Sequence, residues 1–493
     1  MINAAHAYKR CFLITVWLIV WSTGISAHAT AMIKSEQIAD ELARRWNVNQ
    51  IPTAGLSIVT DGQVVAMRLG KAEKGVFELA STSKAFTGLL IALLEKEGVL
   101  NRQDLLIRWL PELAEYPQMG YSEIKIQDLL FHTSGIGEAT LALLQPDTSP
   151  DALSHLPLLL QKVPLFYPTG TQEEYATLNY SLLGLVAERA TGKPFAALMQ
   201  ERIFLPLGMN STRVESSIET AHVVTENIAP IPQYKISFTM ARPYDAPRYW
   251  QNTPAGYVLS TPQDMALWLQ FLLRRLPPQN GNPTITALYT ALEQAQRPYG
   301  GNSNHGYAYG WDVETDQTTY WSHPGQNPNS TAYVAFDPQI GVGIALLGNS
   351  NSPQVIELGL SVFQYLRGRV AHLLPEQLPV DINDKIATVA AIIFWSGGIL
   401  CVLVMPYKRK KRIEQEIRKN CQKASGKQFV MVSVTLNALL IAMIMVTPSL
   451  LMGWNWPTLL VWGPLSLPVA AAGLIFLVNA INLLFFFPVR FRH

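Results

Sequence analysis

The amino-acid sequence predicts an exported α/β domain followed by a three-helix transmembrane region. Three patterns lead to this prediction. Apolar and polar residues alternate on both sides of Asp61 as in a β-hairpin, apolar residues recur at helical spacing after Ser81, and three long apolar runs follow residue 385. Hydrophobic residues make up 49% of the 493 residues and charged residues only 15%, so part of the chain is expected to lie in lipid.

The N-terminus has the pattern of a secretory signal over residues 1–29. Two basic residues precede an apolar stretch from Cys11 to about Trp21, and Ala27 and Ala29 form a small-x-small cleavage site. An uncleaved N-terminal anchor is the alternative. In both cases the chain from Thr30 onward is expected to lie outside the cytoplasm.

Cysteine usage and net charge exclude several classes of protein. The three cysteines, Cys11, Cys401 and Cys421, all fall outside residues 30–368. That region therefore has neither disulfides nor a thiolate nucleophile, and its stability depends on a sizeable core. A net charge of +2 gives no argument for nucleic-acid binding.

Three C-terminal segments exceed the roughly 20 apolar residues needed to cross a bilayer core. They are residues 386–405, 429–452 and 459–487, with bounds that are approximate. A run of basic residues fills the connection 408–427, and Arg490 and Arg492 follow the third segment, so both places are predicted to be cytoplasmic. The linker 369–385 and the domain before it then lie outside, on the periplasmic side of the inner membrane.

The apolar segments have the composition of a membrane anchor. They contain no ionisable residue, which favours an anchor in the lipid bilayer over a transporter. Pro464 and Pro468 are expected to kink the third helix, a feature that membrane helices tolerate.

The segment around Ser81 has the features of a nucleophile at the start of a helix. The run from Ser81 to about Glu97 has an apolar face and ends at Gly98, and Ser81 and Lys84 share one face. An amine at this position can take the proton of the hydroxyl, and the free amides at the helix start can stabilise a negative oxygen. A second Ser-x-x-Lys pattern begins at Ser122, but no long amphipathic helix follows it.

Five segments of the exported domain match known family landmarks in their usual order. They are V-F-E-L-A-S-T-S-K-A-F-T-G-L-L (76–90), L-L-F-H-T-S-G (129–135), N-Y-S-L-L-G (179–184), P-L-G-M (206–209) and S-T-P-Q-D-M (260–265). Together they resemble class C β-lactamases and related penicillin-binding proteins. The resemblance implies a β-lactamase/transpeptidase-like α/β fold over residues 30–368, in which helices and a helical subdomain flank an antiparallel sheet. It also implies a serine hydrolase that forms an acyl-enzyme on Ser81.

A tyrosine motif follows the first helix. Tyr175-Ala176-Thr177 stands where the family has Y-x-N, and the resemblance makes Tyr175 the acid/base partner of Ser81 and Lys84. For this role the pKa of Tyr175 is expected to be lowered by the Lys84 ammonium. Whether Lys84 or Tyr175 is the formal base is left open.

The third family motif appears as His323-Pro324-Gly325, before the strand-like segment 331–336. By resemblance, this region flanks the nucleophile, and the amides of Ser81 and Gln326 form the oxyanion hole. By itself His323 is more typical of a turn. No cysteine pair or His-x-x-x-His pattern accompanies it, so neither a metal nor another cofactor is expected.

Several departures from the family consensus narrow the resemblance. They are Thr177 in place of Asn, T-P-A-G-Y (253–257), G-Q-N-P-N (325–329), L-V-W-G-P (460–464) and the three-helix tail. These features resemble the prodrug-activating D-asparaginyl peptidases of colibactin maturation and their xenocoumacin and zwittermicin relatives. By resemblance, Thr177, Asn252 and Asn327 would bind the substrate carboxamide, since each offers donors and acceptors. The alternative is that Asn252 and Asn327 only cap turns beside Pro254 and Pro328.

The narrower resemblance implies a peptidase that removes an N-acyl-D-asparagine cap from an exported nonribosomal-peptide or polyketide prodrug. Its expected partners are this substrate, the bilayer and an exporter of the same pathway, and a homo-oligomer is left open. One rival is a generic DD-carboxypeptidase, β-lactamase or esterase, against which the segment 325–329 argues. The other is a non-enzymatic sensor, which should carry a cytoplasmic effector domain larger than the inside loop of about 20 residues.

Overall fold

The computed structural model describes most of the chain. The described residues are 35–47, 49–61, 63–161, 163–215, 228–276, 282–297, 305–375, 378–419, 426–452 and 454–486. The expected signal segment 1–29 lies outside these residues.

Twelve strands and fifteen α-helices are described. The strands are β1 (Thr53–Thr60), β2 (Gln63–Gly70), β3 (Phe77–Glu78), β4 (Arg213–Val214), β5 (Tyr234–Ser237), β6 (Met240–Pro243), β7 (Val258–Ser260), β8 (His305–Ala308), β9 (Trp311–Thr315), β10 (Thr319–Asn327), β11 (Ser330–Asp337) and β12 (Val342–Gly348). The helices are α1 (Ser35–Arg45), α2 (Ser83–Lys96), α3 (Leu106–Trp109), α4 (Ile126–Leu130), α5 (Leu156–Leu160), α6 (Thr177–Thr191), α7 (Phe195–Met199), α8 (Thr253–Gly256), α9 (Pro262–Leu272), α10 (Pro283–Ala295), α11 (Gln354–Leu366), α12 (Ile382–Lys419), α13 (Gly426–Met452), α14 (Trp456–Trp462) and α15 (Ser466–Phe486).

The main sheet has seven strands in the order β2-β1-β12-β11-β10-β9-β8, and its strand pairs are antiparallel. The predicted hairpin is present, with Thr60 opposite Gln63 on either side of the turn that begins at Asp61. Because β1 pairs with β12, the first and last strands of the catalytic domain lie side by side, next to the β2 edge of the sheet. The predicted antiparallel sheet is therefore confirmed.

Helices cover both faces of this sheet. One face packs against α1 and α11 through a cluster that includes Ile38, Leu56 and Val362. The other face packs against α9, with α2 and α10 beyond it, in a larger cluster that includes Phe86 and Trp268. The helices α3 to α7 form the helical subdomain beside α2, also as predicted. The larger cluster holds α2 on its face of the sheet, and the turn that contains Ser81 contacts β10.

The C-terminal region contains three helices that are long and apolar enough to cross a membrane: Ile382–Lys411, Ser433–Leu450 and Ser466–Leu484. The first helix continues to Lys419, so the start of the basic run is helical rather than part of a loop. The third apolar segment, expected as one kinked helix over about 459–487, is instead split into α14 and α15. Pro464 explains the break, because it lacks an amide proton and disfavours helical geometry at Gly463.

The spans α12 and α15 pack closely along their length. The Trp395 ring stacks on Phe476 with centroids 5.1 Å apart, and its indole nitrogen donates to the carbonyl oxygen of Val469 at 3.1 Å. Asn437 of α13 and Asn479 of α15 exchange side-chain amide hydrogen bonds of 3.1 and 2.8 Å. Aromatic packing and amide bonds of this kind hold helices together in lipid.

The catalytic domain is hydrogen-bonded to the C-terminal helices. Asp384, in the first turn of α12, accepts from the amides of Phe238 at 2.9 Å and Thr239 at 2.6 Å, at the tip of the β5–β6 hairpin. Lys235 of β5 donates to the carbonyl oxygens of Leu460 at 3.1 Å and Val461 at 2.5 Å, near the end of α14. These bonds set the position of the helices relative to the catalytic domain.

Candidate active site

Ser81 lies in a tight turn that leads into α2. Residues Ala80–Thr82 form a 3-10 turn, and Ala80 has a left-handed φ of 47°. A non-glycine residue in that conformation stores strain, which is common at functional sites. The helix then runs from Ser83 to Lys96, and Gly98 follows with a φ of 72°. The predicted helix and its glycine end are therefore confirmed.

Lys84 is buried beside the serine. Its Nζ lies 3.0 Å from Ser81 Oγ and 2.9 Å from the carbonyl oxygen of Ala255, and none of its side chain is exposed. Within the described part of the chain, Lys84 forms no ion pair. Burial penalises the ammonium form and lowers the pKa of Lys84 well below its ordinary value. An uncharged amine here can accept the Ser81 proton.

The hydroxyl of Tyr175 lies next to Ser81, although the residue as a whole is 36% exposed. The hydroxyl is hydrogen-bonded to Ser81, and Lys84 Nζ lies 5.1 Å from the ring centroid. The pKa of Tyr175 is raised, chiefly because desolvation penalises the phenolate and the Ser81 hydrogen bond offsets only part of that effect. The expected lowering of this pKa by a Lys84 ammonium is wrong, since Lys84 itself is driven towards the neutral form.

His132 holds the backbone on both sides of Tyr175. Its carbonyl oxygen accepts from the amide of Glu174 at 2.8 Å, and its Nδ1 accepts from the amide of Ala176 at 3.3 Å. The side chain of Asn179 is also 2.9 Å from Nδ1, and the rings of His132 and Tyr175 lie 4.6 Å apart. In the sequence, His132 stood out only as part of the motif 129–135. In the structure, its contacts with the backbone on both sides of Tyr175 hold that residue in position.

His323 lies inside β10 and is not a turn residue. Its Nδ1 donates to the carbonyl oxygen of Pro324 at 2.6 Å, which leaves Nε2 to accept from the Tyr307 hydroxyl at 3.1 Å. The ring is 2% exposed, and burial lowers the pKa of His323 to about 3. A neutral imidazole therefore lies next to the catalytic groups.

Gly325 allows β10 to approach the nucleophile turn. A Cβ built on Gly325 would lie 2.7 Å from the carbonyl oxygen of Leu79 and 3.0 Å from the Ser81 amide nitrogen, which is too close for any other residue. Strand β9 pairs with β10 only over Thr319–Ser322, so among the described residues the segment from His323 to Asn327 has an edge without a strand partner. This geometry brings the expected oxyanion-hole residues, Ser81 and Gln326, into one small region.

The three expected amide-binding residues lie together in the same cavity. Asn252 Oδ1 accepts from Ser181 Oγ at 2.8 Å and lies 3.5 Å from Thr177 Oγ1. Asn327 Nδ2 donates to the carbonyl oxygen of Gly256 at 2.9 Å. A Cβ built on Gly256 would lie 3.3 Å from Asn252 Nδ2 and 3.5 Å from Asn327 Oδ1, so both atoms lie near Gly256.

The side chains of both asparagines do more than stabilise turns. Asn252 precedes α8 but makes no side-chain hydrogen bond to the backbone of that helix. Asn327, at the end of β10, donates instead to the Glu78 carboxylate and to Gly256. Asn252 is 4% and Asn327 2% exposed, so both amides are held in place by buried contacts.

Glu78 is a buried acid that sequence reasoning missed. It is 2% exposed, accepts from Asn327 and from Ser330 Oγ at 3.0 Å, and forms an ion pair with Arg248 at 3.4 Å. The available signal was a lone carboxylate in the otherwise apolar approach 76–80, because such a charge must be paired when buried.

The cavity that contains Ser81 extends between the C-terminal helices. Its volume is about 990 Å³, and the catalytic domain and helices α12 to α15 both contribute to its wall. The helix side is mainly apolar and is lined by Ile386, Ala387, Ala390, Phe394, Ile444, Trp454, Trp456, Leu459, Trp462, Leu467, Ala470, Ala471 and Leu474, among others. The C-terminal helices therefore form part of the candidate site, which the sequence did not indicate.

Asp312 of β9 also lines this cavity. Its side chain is half-buried, and desolvation raises the pKa of Asp312 to about 6. Its charge contributes to the raised pKa of Tyr175. Asp312 was not identified as a site residue from the sequence, because nothing in its local pattern distinguishes it from a strand residue facing solvent.

The fold and the Ser81–Lys84 pair define a serine hydrolase with the nucleophile at the start of a helix beside an antiparallel sheet. The profile of the Beta-lactamase family matches residues 38–364, about two thirds of the chain, and the protein belongs to this family. The predicted fold class and serine hydrolase activity are thus confirmed at the level of the family.

Curated relatives extend the likeness beyond the catalytic domain. Protein flp of Staphylococcus aureus (strain COL) is 23% identical over 456 residues, covering 88% of this chain and 87% of that protein. Residues 1–385 make up less than 88% of the 493 residues, so the matched region must extend into the C-terminal helices. The N-acetylmuramyl-L-alanine amidase of Bacillus subtilis (strain 168) is 23% identical over 381 residues, covering 66% of this chain and 84% of that protein.

Two solved structures share the fold. The octameric penicillin-binding protein homologue from Pyrococcus abyssi has a TM-score of 0.53 at 22% identity, covering 71% of this chain and 80% of that one. The D-stereospecific amidohydrolase from Streptomyces sp. has a TM-score of 0.50 at 21% identity, covering 65% of this chain and 97% of that one.

Proposed function

We propose that this protein is a membrane-anchored serine peptidase that removes an N-acyl-D-asparagine cap from an exported prodrug. The observation that carries the proposal is that a donor, Asn252 Nδ2, and an acceptor, Asn327 Oδ1, both lie near Gly256 on residues that line the cavity of Ser81. Within the described part of the chain, neither atom has a hydrogen-bond partner.

The donor and acceptor complement a side-chain carboxamide. The carboxamide oxygen accepts from Asn252 Nδ2, and its NH₂ group donates to Asn327 Oδ1, while Thr177 offers a further hydroxyl. The side chain bound here is therefore that of asparagine rather than alanine. The narrower family resemblance and the D-stereospecific amidohydrolase that shares the fold both support a D-residue.

The catalytic steps follow from the pKa shifts. Uncharged Lys84 accepts the Ser81 proton as Ser81 Oγ attacks the carbonyl carbon of the D-Asn residue, and the amides of Ser81 and Gln326 stabilise the oxyanion. Tyr175, held as a neutral phenol, donates a proton to the departing amine. Lys84 then returns its proton to the Tyr175 phenolate. Water attacks the acyl-enzyme carbonyl carbon and gives a proton to Lys84, which passes it to Ser81 Oγ as the ester bond breaks, so that N-acyl-D-Asn and free Ser81 result.

The acyl chain of the cap lies between the membrane helices in this proposal. The cavity continues from Ser81 into a space lined by side chains such as Phe394, Trp462 and Leu474. Burial of each methylene there stabilises the complex by about 0.8 kcal/mol. A fatty acyl group therefore fits better than a polar peptide on this side of the site.

The proposed location follows from the same arrangement. The three apolar helices anchor the protein in the inner membrane, and the catalytic domain lies on the periplasmic side, as the basic run after residue 407 favours. The substrate then arrives from the cytoplasm through an exporter of the same pathway.

Kinetics with matched substrates test the proposed function. The full-length protein should cleave an N-acyl-D-Asn amide at a kcat/KM about 10⁴-fold above that for the N-acyl-D-Ala analogue, because buried amide groups would be left unpaired by alanine. Asn327→Leu should remove most of this preference, with little change for D-Ala. Two results would contradict the proposal and favour a generic carboxypeptidase. One is a wild-type preference for D-Ala-D-Ala peptides, and the other is an equal loss of kcat/KM on both substrates in Asn327→Leu.

A further inference from the structure

A buried carboxylate lies directly behind the proposed amide-binding pocket. Glu78 Oε1 accepts from Asn327 Nδ2 and from Ser330 Oγ. Its Oε2 lies 3.4 Å from Arg248 Nη1 and 3.3 Å from Gln233 Nε2. Because donors surround both oxygens, Glu78 can only act as an acceptor towards Asn327.

The two partners of Asn327 determine which way its amide faces. The Glu78 carboxylate and the carbonyl oxygen of Gly256 both accept hydrogen bonds, so the NH₂ group must point to them. A flipped amide would place Asn327 Oδ1 against two acceptors. Oδ1 is therefore held towards the cavity.

We propose that Glu78 is a positioning residue for specificity, which acts through Asn327 to make the site accept a carboxamide and reject a carboxylate. The inference rests on the proposed function. A D-Asn side chain has an NH₂ group to donate to Asn327 Oδ1, whereas a D-Asp side chain has only acceptors. The negative charge of Glu78 behind the pocket adds repulsion against D-Asp.

Replacement of Glu78 by glutamine should leave the protein folded. Arg248 retains a second carboxylate, Glu215, at 3.3 Å. Burial chiefly, and the charge of Glu78 in addition, raise the pKa of Glu215 to about 7, so replacement of Glu78 relieves repulsion between two buried acids. The glutamine has nearly the same shape, and Glu78→Ala serves as a second variant that also removes the acceptor.

The test compares N-acyl-D-Asn and N-acyl-D-Asp amides of the same chain length on the purified full-length protein. In Glu78→Gln the charged acceptor is lost and only the carbonyl oxygen of Gly256 still favours the observed orientation of the Asn327 amide. The ratio of the two kcat/KM values should therefore fall by at least about tenfold, the factor typical of a hydrogen bond to a charged group. Ser330→Ala is the matched control. It removes another hydrogen bond to Glu78 Oε1 but leaves both hydrogen bonds of the Asn327 amide in place, and its ratio should stay within about twofold of wild type.

The outcomes separate the two proposals. A wild-type protein without preference for D-Asn over D-Ala would contradict the proposed function. A wild-type preference for D-Asn, together with an unchanged ratio of D-Asn to D-Asp in folded Glu78→Gln or Glu78→Ala, would overturn the role of Glu78 alone. An equal fall of the ratio in Ser330→Ala would also overturn it, because the effect would then not pass through Asn327.

Discussion

Lys84 Nζ lies 3.0 Å from Ser81 Oγ, at a position without solvent exposure, and its pKa is well below that of an ordinary lysine. Burial favours the uncharged amine of Lys84 and the protonated phenol of Tyr175, which favours Lys84 as the general base in the proposed mechanism.

Ser81→Ala should abolish turnover while the protein stays folded, because the change removes the attacking oxygen and little buried volume. Mass spectrometry with a slow acylating substrate should find the adduct on the Ser81 peptide. The matched control is Ser122→Ala, which disrupts the other Ser-x-x-Lys pattern and should keep wild-type kcat. An adduct on Ser122, or activity in Ser81→Ala, would refute this assignment.

Asp312→Asn should stabilise the protein at pH 8 by about 1–2 kcal/mol and change little at pH 4. The folded pKa of Asp312, about 6, exceeds the ordinary value of 3.8. Between these two pH values the folded protein binds a proton at Asp312 that the unfolded chain does not bind. The free energy of unfolding therefore falls as pH rises from about 4 to 6. Thermal melting at both pH values measures the effect.

Asp316 provides the control, because its pKa is shifted in the opposite direction from that of Asp312. Hydrogen bonds from Arg367 lower the pKa of Asp316 to about 2, so its contribution to stability is present above pH 4 and is lost as pH falls through 2. Asp316→Asn should therefore lower the melting temperature at pH 8. If both variants shift melting in the same direction at pH 8, the assigned pKa directions are wrong.

Ala471→Phe should shift the preference for acyl length, because Ala471 lines the helix side of the cavity and a ring there fills it. The kcat/KM for a long-chain N-acyl-D-Asn amide should fall about tenfold or more, while that for an N-acetyl substrate changes little. Leu400→Phe is the control, since Leu400 is 59% exposed on the outside of α12. Equal effects on both chain lengths would exclude an acyl site between the helices.

A reporter fused after Lys410 should lie in the cytoplasm, and one fused after Gln377 should lie outside. The basic residues that follow the first span favour the cytoplasmic side for the former position. Paired alkaline phosphatase and green fluorescent protein fusions measure the side directly. Both reporters on one side would contradict the proposed three-span topology.

The local elements that position Ser81 could be predicted from the sequence because their patterns are local. The alternation around Asp61 predicts β1 and β2, and the apolar face and the terminal Gly98 predict the helix after Ser81. Long apolar runs likewise predict helices that can cross a membrane. The break at Pro464 was predicted only as a kink, because the sequence does not show whether a proline bends a helix or ends it.

Only the tertiary structure decided how distant segments share one site. Asn327 donates to Glu78 across 249 positions of the chain, and the walls of the cavity combine Ser81 with Leu474. No periodicity reports such contacts, because they depend on how layers pack rather than on local spacing. The pKa of Tyr175 was mispredicted for the same reason: burial outweighs the neighbouring amine, and burial is a property of the assembled fold.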